Sequence, residues 1–221
     1  MRKRFKKSQS SGLSWRQRAV KRLLTLPGGV LTVLNGGAVV IDGQRLDPAL
    51  AVLCRVANRR ARVYRLEPDA ARRRVRGLSA LMPTALPLMD RVEEREIPGP
   101  GGPLPVRIYT PADLRRKPPA LVYFHAGGWV LGDLDSSDAF CRLIAGQVPC
   151  RVISVDYRLA PEHPYPAAVD DALAAYRWCV DQADALGVDP RRVAVGGASA
   201  GGNLAAVVAA RLASTELRPC A

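Results

Sequence analysis

Residues 192–206 have the sequence Arg192-Val-Ala-Val-Gly-Gly-Ala-Ser199-Ala-Gly-Gly-Asn-Leu-Ala-Ala206. Here an apolar run breaks into a glycine-rich turn around one serine, and a second apolar run follows. Gly197-Ala-Ser199-Ala-Gly201 matches G-x-S-x-G, the pattern in which a strand turns sharply into a helix and exposes a serine hydroxyl. Small residues are needed beside the serine because a strained turn leaves little room for Cβ atoms. The pattern therefore predicts a strand–turn–helix unit that carries Ser199 as a nucleophile.

The residues before this unit alternate between apolar runs and helical patterns. A hairpin is predicted around the turn Gly99-Pro-Gly-Gly102. Continuous apolar runs predict buried strands at residues 120–124, 151–156 and 193–195. Helical patterns are found at residues 138–146, 166–187 and 203–213. Apolar strands that alternate with helices indicate an α/β fold, with a mostly parallel sheet covered by helices on both faces.

Residues 45–90 have a different pattern, which predicts helices. Asp47 is expected to cap a helix that begins at Pro48. A second helical stretch, Ala70 to Met89, contains the run Arg72-Arg-Arg74. We interpret this run as a solvated helix face.

The net charge of +13 is concentrated at the N-terminus. Residues 1–41 contain nine Lys and Arg and no Asp or Glu. Such a tail is usually solvated or weakly attracted to anionic lipid, and no recognition motif accompanies it, so we expect no nucleic-acid partner. Residues 23–41 carry no charge, which is compatible with a signal anchor, although two glycine pairs interrupt them. We predict a cytoplasmic protein, with membrane association or export through residues 1–41 as the alternative.

A serine hydroxyl needs a base to take its proton and hydrogen-bond donors directed at the developing oxyanion. The predicted elbow places Ser199 at the positive N-terminal end of a helix. The backbone amide of Ala200 is one expected donor. The loop His125-Ala-Gly-Gly-Trp129 follows the third strand, where this architecture places the remaining donors. The chemistry predicted from these residues is acyl transfer by a serine.

Three motifs occur in order: His125-Ala-Gly-Gly-Trp129, Asp156-Tyr-Arg-Leu-Ala-Pro-Glu-His-Pro-Tyr-Pro166 and Gly197-Ala-Ser-Ala-Gly-Gly-Asn-Leu204. With them the chain resembles the hormone-sensitive-lipase-like carboxylesterases of the α/β-hydrolase fold, over roughly residues 40–215. The resemblance implies hydrolysis of an uncharged ester with a short or medium acyl chain, through an acyl-enzyme and without cofactor or metal. The resemblance divides the chain into three parts. Residues 1–41 form a basic tail and an uncharged segment, and residues 42–90 form a helical cap region. Residues 91–221 form an incomplete α/β-hydrolase core.

The resemblance also implies roles for single residues. Ser199 would be the nucleophile, and the amides of Gly127, Gly128 and Ala200 would form the oxyanion hole. His125 would support the oxyanion loop. The family's usual H-G-G-G has Ala126 at its first glycine here, and Ala198 stands where Asp often precedes the nucleophile. Neither change removes a step of the mechanism.

A third departure concerns the catalytic base. In this fold the acid and the histidine follow the serine in the chain. After Ser199 the chain contains one acid, Glu216, and no histidine. We therefore expect a chain truncated before the catalytic Asp and His, with the C-terminal strands missing and a very poor or absent esterase activity. An open apolar strand at the sheet edge would favour aggregation.

Two earlier histidines stay open as substitute bases. His125 belongs to the glycine loop and His163 to the proline-rich turn, and we interpret both as structural. Asp156 ends a predicted central strand, where we expect a buried, hydrogen-bonded carboxylate rather than a member of a triad.

The sequence leaves two functions to compare with that of a serine hydrolase. A non-catalytic relative that binds small molecules is the alternative, although it would have no need of Ser199. A dinucleotide site is disfavoured because the motif G-x-G-x-x-G is not matched. If the motif begins at Gly197, Ser199 stands at its second glycine, and if it begins at Gly196, Ala198 stands there.

Overall fold

The computed structural model describes residues 15–58, 63–79, 86–112, 114 and 117–220. It divides into two units, Met1–Leu66 with Gly77–Pro83, and Glu67–Arg76 with Thr84–Ala221. The predicted basic tail before residue 15 lies outside the described residues, as do residues 80–85 of the second predicted helical stretch.

The first unit is built from three helices and a short hairpin. Its elements are α1 (Trp15–Leu24), α2 (Gly28–Leu34), β1 (Val40–Ile41), β2 (Gln44–Arg45), α3 (Pro48–Asn58) and a 3-10 turn (Val63–Arg65). Leu24, Leu31 and Val52 are buried together between the helices. The uncharged segment at residues 23–41 therefore contains a two-turn helix and a strand rather than one continuous helix. Among the described residues, no helix is long and apolar enough to cross a membrane.

The predicted start of α3 is confirmed. The Asp47 carboxylate accepts hydrogen bonds from the amides of Ala49 and Leu50, at 2.9 and 3.0 Å. Asp47 thus caps the helix that begins at Pro48, because these two amides have no carbonyl partner within the helix.

The next helix, α4 (Pro68–Ser79), begins near the predicted residue, but the predicted end at Met89 is wrong. Met89 is the first residue of a strand, β3 (Met89–Gly99). The reason is long pairing with β4 (Gly102–Pro111), whose register joins Met89 to Pro111. Helical periodicity could not reveal this competing partner strand.

The second unit contains a five-stranded sheet with the order β3-β4-β6-β5-β7. The remaining strands are β5 (Ala120–Phe124), β6 (Arg151–Val155) and β7 (Val193–Gly197). β5 pairs in parallel with β6 and β7, whereas β3 pairs antiparallel with β4, and β4 antiparallel with β6. The predicted hairpin and the three predicted parallel strands are therefore confirmed.

Helices cover both faces of this sheet, as predicted. One face carries α6 (Ala167–Asp181) and α8 (Ala200–Leu212), whose apolar residues pack with Val122, Phe124, Ile153 and Val155. The other face carries α5 (Leu134–Gln147), where Cys141 and Ala145 pack with Tyr123 and Val152. Successive residues of each strand point to opposite faces, so one strand contributes to both cores.

This arrangement positions the three sequence motifs. Each motif follows one of the parallel strands β5, β6 and β7, and carboxyl ends of parallel strands meet at one edge of the sheet. At the other end of β7, the backbone amide of Cys220 donates to Val193 O at 3.0 Å. In the part of the chain that the structure describes, β7 is one of the two edge strands of the sheet, and β3 is the other.

Candidate active site

The turn around Ser199 has the geometry of a strained elbow. Ser199 has φ 52° and ψ −117°, a left-handed backbone conformation that non-glycine residues rarely adopt. Its side chain is exposed at the N-terminus of α8. The helix end is positive, which favours negative charge developing beside it. A substrate carbonyl that approached Ser199 would therefore meet an accessible hydroxyl.

The two glycines of the elbow are required by backbone crowding. A Cβ at Gly197 would lie 2.7 Å from Phe124 O and would overlap the carbonyl of Gly201. A Cβ at Gly201 would lie 2.7 Å from His125 O and closer still to the carbonyl of Phe124. The elbow thus rests on the end of β5, where the glycine loop begins.

The glycine loop contains successive left-handed residues. Gly127, Gly128 and Trp129 have φ of 142°, 61° and 61°. The amides of Val130 and Leu131 both donate to Gly127 O, at 3.1 and 2.8 Å, and close the turn. A Cβ at Gly127 would collide with the carbonyl of Leu131. Ala126 is not among the residues with positive φ, which explains how its methyl is accommodated.

His125 lies beneath this loop. Its ring is buried, stacks on Tyr157 with 4.3 Å between ring centroids, and is 2.9 Å from Ala126 O through Nδ1. Because a carbonyl can only accept, Nδ1 carries the proton in this contact. Tyr157 OH donates to His125 O at 2.8 Å. Burial lowers the pKa of His125, so the ring is neutral at pH 7.

Neither histidine is hydrogen-bonded to Ser199 in the described part of the chain. His163 is exposed and lines a cavity. Burial raises the pKa of Asp156 to about 6, and the described residues supply its carboxylate with no hydrogen bond. The expected hydrogen-bonded carboxylate is therefore not found there. The structure brings the elbow and the glycine loop together but adds no base to them.

A cavity of about 540 Å³ begins at Gly128. The first turn of α6 and one face along α8 form its mainly apolar walls, with Val169 and Val207 among them. Its polar part is lined by His163, Asn203, Arg158 and Arg211. Cavities of this size hold small organic ligands. Over the described ranges, no group of three or more His, Cys, Asp or Glu side chains could hold a metal ion.

Arg72 is a residue of this region that the sequence analysis missed. Its guanidinium donates to Val130 O at 2.8 Å, to Ala160 O at 2.9 Å and to the Glu162 carboxylate at 2.8 and 2.7 Å. The interpretation of Arg72 as part of a solvated helix face is therefore wrong. No local signal could have identified these contacts, because the partners lie 58 to 90 residues away in the sequence.

Known proteins share this architecture. Residues 121–221 match the family model of the alpha/beta hydrolase fold. The chain is 46% identical over 195 residues to the carboxylic ester hydrolase LipN of Mycobacterium tuberculosis, a match that covers 86% of this chain and 51% of LipN. It is 50% identical over 142 residues to the carboxylesterase NlhH of the same species, covering 64% of this chain and 44% of NlhH.

Solved structures agree with these matches. The ester hydrolase EH1AB1 from the Lake Arreo metagenome superimposes with a TM-score of 0.70 at 39% identity, over 74% of this chain and 53% of that one. The esterase of Pyrobaculum calidifontis superimposes with a TM-score of 0.68 at 43% identity, over 73% and 52%. The chain spans about half the length of the relatives that it matches.

Proposed function

This chain belongs to the α/β-hydrolase fold family, and we propose that the protein hydrolyses carboxylic esters with Ser199 as the nucleophile. The observation that carries the proposal is the exposed serine at φ 52°, on an elbow that rests against the end of β5, where a loop of left-handed residues begins. The relatives named above as ester hydrolases support the same reaction.

The proposed reaction begins when Ser199 Oγ attacks the ester carbonyl carbon and loses its proton to a base. The carbonyl electrons move to oxygen, and the backbone amides of Gly127, Gly128 and Ala200 would donate to the resulting oxyanion. The oxyanion collapses, the alcohol leaves with a proton, and water then releases the acid from the acyl-serine. His125 would act indirectly, because its buried ring supports the loop that carries two of these amides.

The substrate class that we propose is an uncharged ester with a short or medium acyl chain. The apolar cavity that begins at Gly128 would accommodate the acyl or alcohol group. We also propose a cytoplasmic location and weak attraction of the basic N-terminus to anionic membranes. Cosedimentation with phosphatidylglycerol vesicles, lost at high salt, is the expected result for that attraction.

Within these 221 residues no histidine contacts Ser199, so we expect slow turnover. In serine proteases, loss of the catalytic triad lowers kcat by roughly 10⁶-fold relative to the intact enzyme. The remaining protein still accelerates the reaction by about 10³–10⁴-fold over the uncatalysed reaction in water. Acylation and deacylation both need proton transfer. Slow deacylation should let the acyl-enzyme accumulate, and the adduct can then be seen directly.

The test measures acylation by p-nitrophenyl butyrate with intact-mass and peptide mass spectrometry. We expect one butyryl group on the peptide that contains Ser199, faster in added imidazole, and none in Ser199→Ala. Ser214→Ala is the matched control, because Ser214 is an exposed serine just beyond α8, and it should be acylated as the original chain is. Turnover at rates typical of a complete triad would contradict the absence of a base. A Ser199 that stays unmodified in imidazole would favour the non-catalytic, ligand-binding alternative.

A further inference from the structure

The guanidinium of Arg72 joins two segments that are distant in sequence. Nε donates to Val130 O, Nη2 to Ala160 O, and both Nη atoms to the Glu162 carboxylate. The Arg72 side chain is only 19% exposed. A surface ion pair usually contributes little to stability. The contacts of Arg72 differ because its planar guanidinium binds two backbone carbonyls together with a carboxylate.

The carbonyl of Val130 belongs to the turn that carries the proposed oxyanion donors. That turn is closed by the amides of Val130 and Leu131, which both donate to Gly127 O. The preceding carbonyl, Trp129 O, accepts from the amide of Ala160 at 2.8 Å. Two consecutive carbonyls of the loop are therefore attached to residues 160–162, one directly and one through Arg72.

The loop needs such attachment because three of its residues in a row are left-handed. Gly127, Gly128 and Trp129 all have positive φ, and Trp129 has a side chain that disfavours this conformation. Strained backbone of this kind persists only where the surroundings over-determine it.

A second arginine of α4 contacts the far end of the same segment. Arg76 Nε donates to Asp133 Oδ2 at 2.6 Å, one helical turn beyond Arg72. Asp133 in turn caps α5 by accepting from the amide of Ser136. Helix α4 therefore contacts residues 130–133 at both ends, through two side chains on one helix face.

We propose that Arg72 is a positioning residue for the oxyanion loop, holding the amides of Gly127 and Gly128 in place through Val130. The proposal deepens the proposed function, since it assumes that these amides receive the oxyanion. The Arg72 guanidinium lowers the pKa of Glu162 to about 2. The clamp of Arg72, Glu162, Val130 O and Ala160 O therefore stays charged over the pH range in which ester hydrolysis is assayed.

The first arm of the test is hydrogen–deuterium exchange of the original chain, Arg72→Ala and the control Arg73→Ala. Arg73 is an exposed arginine next to Arg72 on the same helix. We expect exchange in residues 127–131 to become at least about tenfold faster in Arg72→Ala only, with exchange of the elbow peptide unchanged. Arg72→Lys should recover part of the protection, because a single ammonium group can keep some of the hydrogen bonds that the guanidinium makes. Unchanged loop exchange in Arg72→Ala would overturn the proposal.

The second arm measures the acylation rate of Ser199 against ester concentration. Removing one oxyanion donor typically costs 10²–10³-fold in rate, so displaced donors in Arg72→Ala should lower the limiting rate by about 10–100-fold. The half-saturating concentration should stay unchanged. Faster loop exchange with an unchanged limiting rate would overturn the positioning role.

The two proposals fail separately. If Ser199 is not acylated in any variant, the proposed function fails, and the exchange arm alone decides whether Arg72 holds the loop. If Arg72→Ala does not fold, Arg72→Lys and Glu162→Gln take its place, since each removes part of the same set of contacts. Protection equal to that of the original chain in both would overturn the proposal.

Discussion

The elbow at Ser199 and the proposed oxyanion loop, residues 126–131, are two glycine-rich turns that meet at the end of β5. Both contain left-handed backbone, one residue in the elbow and three in the loop. The elbow is held by backbone atoms, since its glycines lie against the carbonyls of Phe124 and His125. The loop is closed by backbone hydrogen bonds to Gly127 O, and side chains hold it in addition, Arg72 at Val130 and Tyr157 at the preceding residue, His125. The difference shows that left-handed backbone can be stabilised by backbone crowding in one turn and, in the other, also by hydrogen bonds from side chains.

This difference has an energetic consequence. Backbone contacts at the elbow have no rotamers into which they can relax, so an added Cβ must displace a strand or a helix. Side-chain contacts to the loop can be removed one at a time, and each removal costs a limited amount. We therefore expect one substitution in the elbow to destabilise the whole fold. Substitutions around the loop should each cost less and should mainly speed hydrogen exchange in the loop.

Among the substitutions proposed here, Gly201→Ala is expected to lower the free energy of unfolding most. The new Cβ would overlap the carbonyls at the end of β5, and overpacking of this kind should cost about 3 kcal/mol of the free energy of unfolding or more. Urea denaturation checks this. Gly29→Ala is the control, because nothing lies within 4 Å of a Cβ at Gly29 and alanine favours the helix by up to about 1 kcal/mol. A Gly201→Ala chain as stable as the control would remove the steric account of the elbow.

A smaller effect is expected for Tyr157→Phe. The change deletes the hydrogen bond from Tyr157 OH to His125 O and leaves a buried carbonyl without that donor, which should cost about 1–2 kcal/mol. Hydrogen exchange should become faster in the oxyanion loop and stay unchanged in the elbow. Tyr165→Phe, which changes an exposed tyrosine, should leave both unfolding and exchange unaltered. Equal effects of the two substitutions would mean that Tyr157 does not support the loop.

The smallest effect is expected for Asp156→Asn, and it depends on pH. Burial raises the pKa of Asp156 to about 6, above roughly 3.9 in the unfolded chain. The folded state therefore binds more protons between these values, and stability is lost as the pH rises through this window. Asparagine removes the loss. A shift of about two pKa units corresponds to at most about 3 kcal/mol, and because Asp156 is partly exposed, the variant should gain only on the order of 1 kcal/mol over the original chain at pH 7, and nothing at pH 3.

Asp156 directly precedes Tyr157, whose hydroxyl donates to His125 O, so this pH dependence belongs to the segment that supports the loop. Urea denaturation at several pH values checks the gain, with the exposed Asp184→Asn as the control. A gain that does not change between pH 4 and pH 7 would contradict burial as its cause.

Much of the site could be predicted from local patterns. The elbow, the hairpin, the helix cap at Asp47 and the three parallel strands are confirmed, and so is the resemblance to the hormone-sensitive-lipase-like carboxylesterases. The predicted end of the second helical stretch is wrong because Met89 belongs to β3 and pairs with β4, and strand pairing overrides helical periodicity. The roles of Gly127, Gly128, Ala200 and His125 in catalysis stay predictions.

The glycine pattern at residues 197–201 could be recognised in the sequence because backbone carbonyls exclude a Cβ at both glycines, although most of these carbonyls belong to the end of β5, at Phe124 and His125. The side chains that hold the oxyanion loop obey no such rule. Arg72 belongs to a run of three arginines with the pattern of an exposed helix face, and only the packing of α4 brings it to Val130 and Glu162. Those contacts span 58 and 90 residues, and no local pattern specifies a partner at that distance.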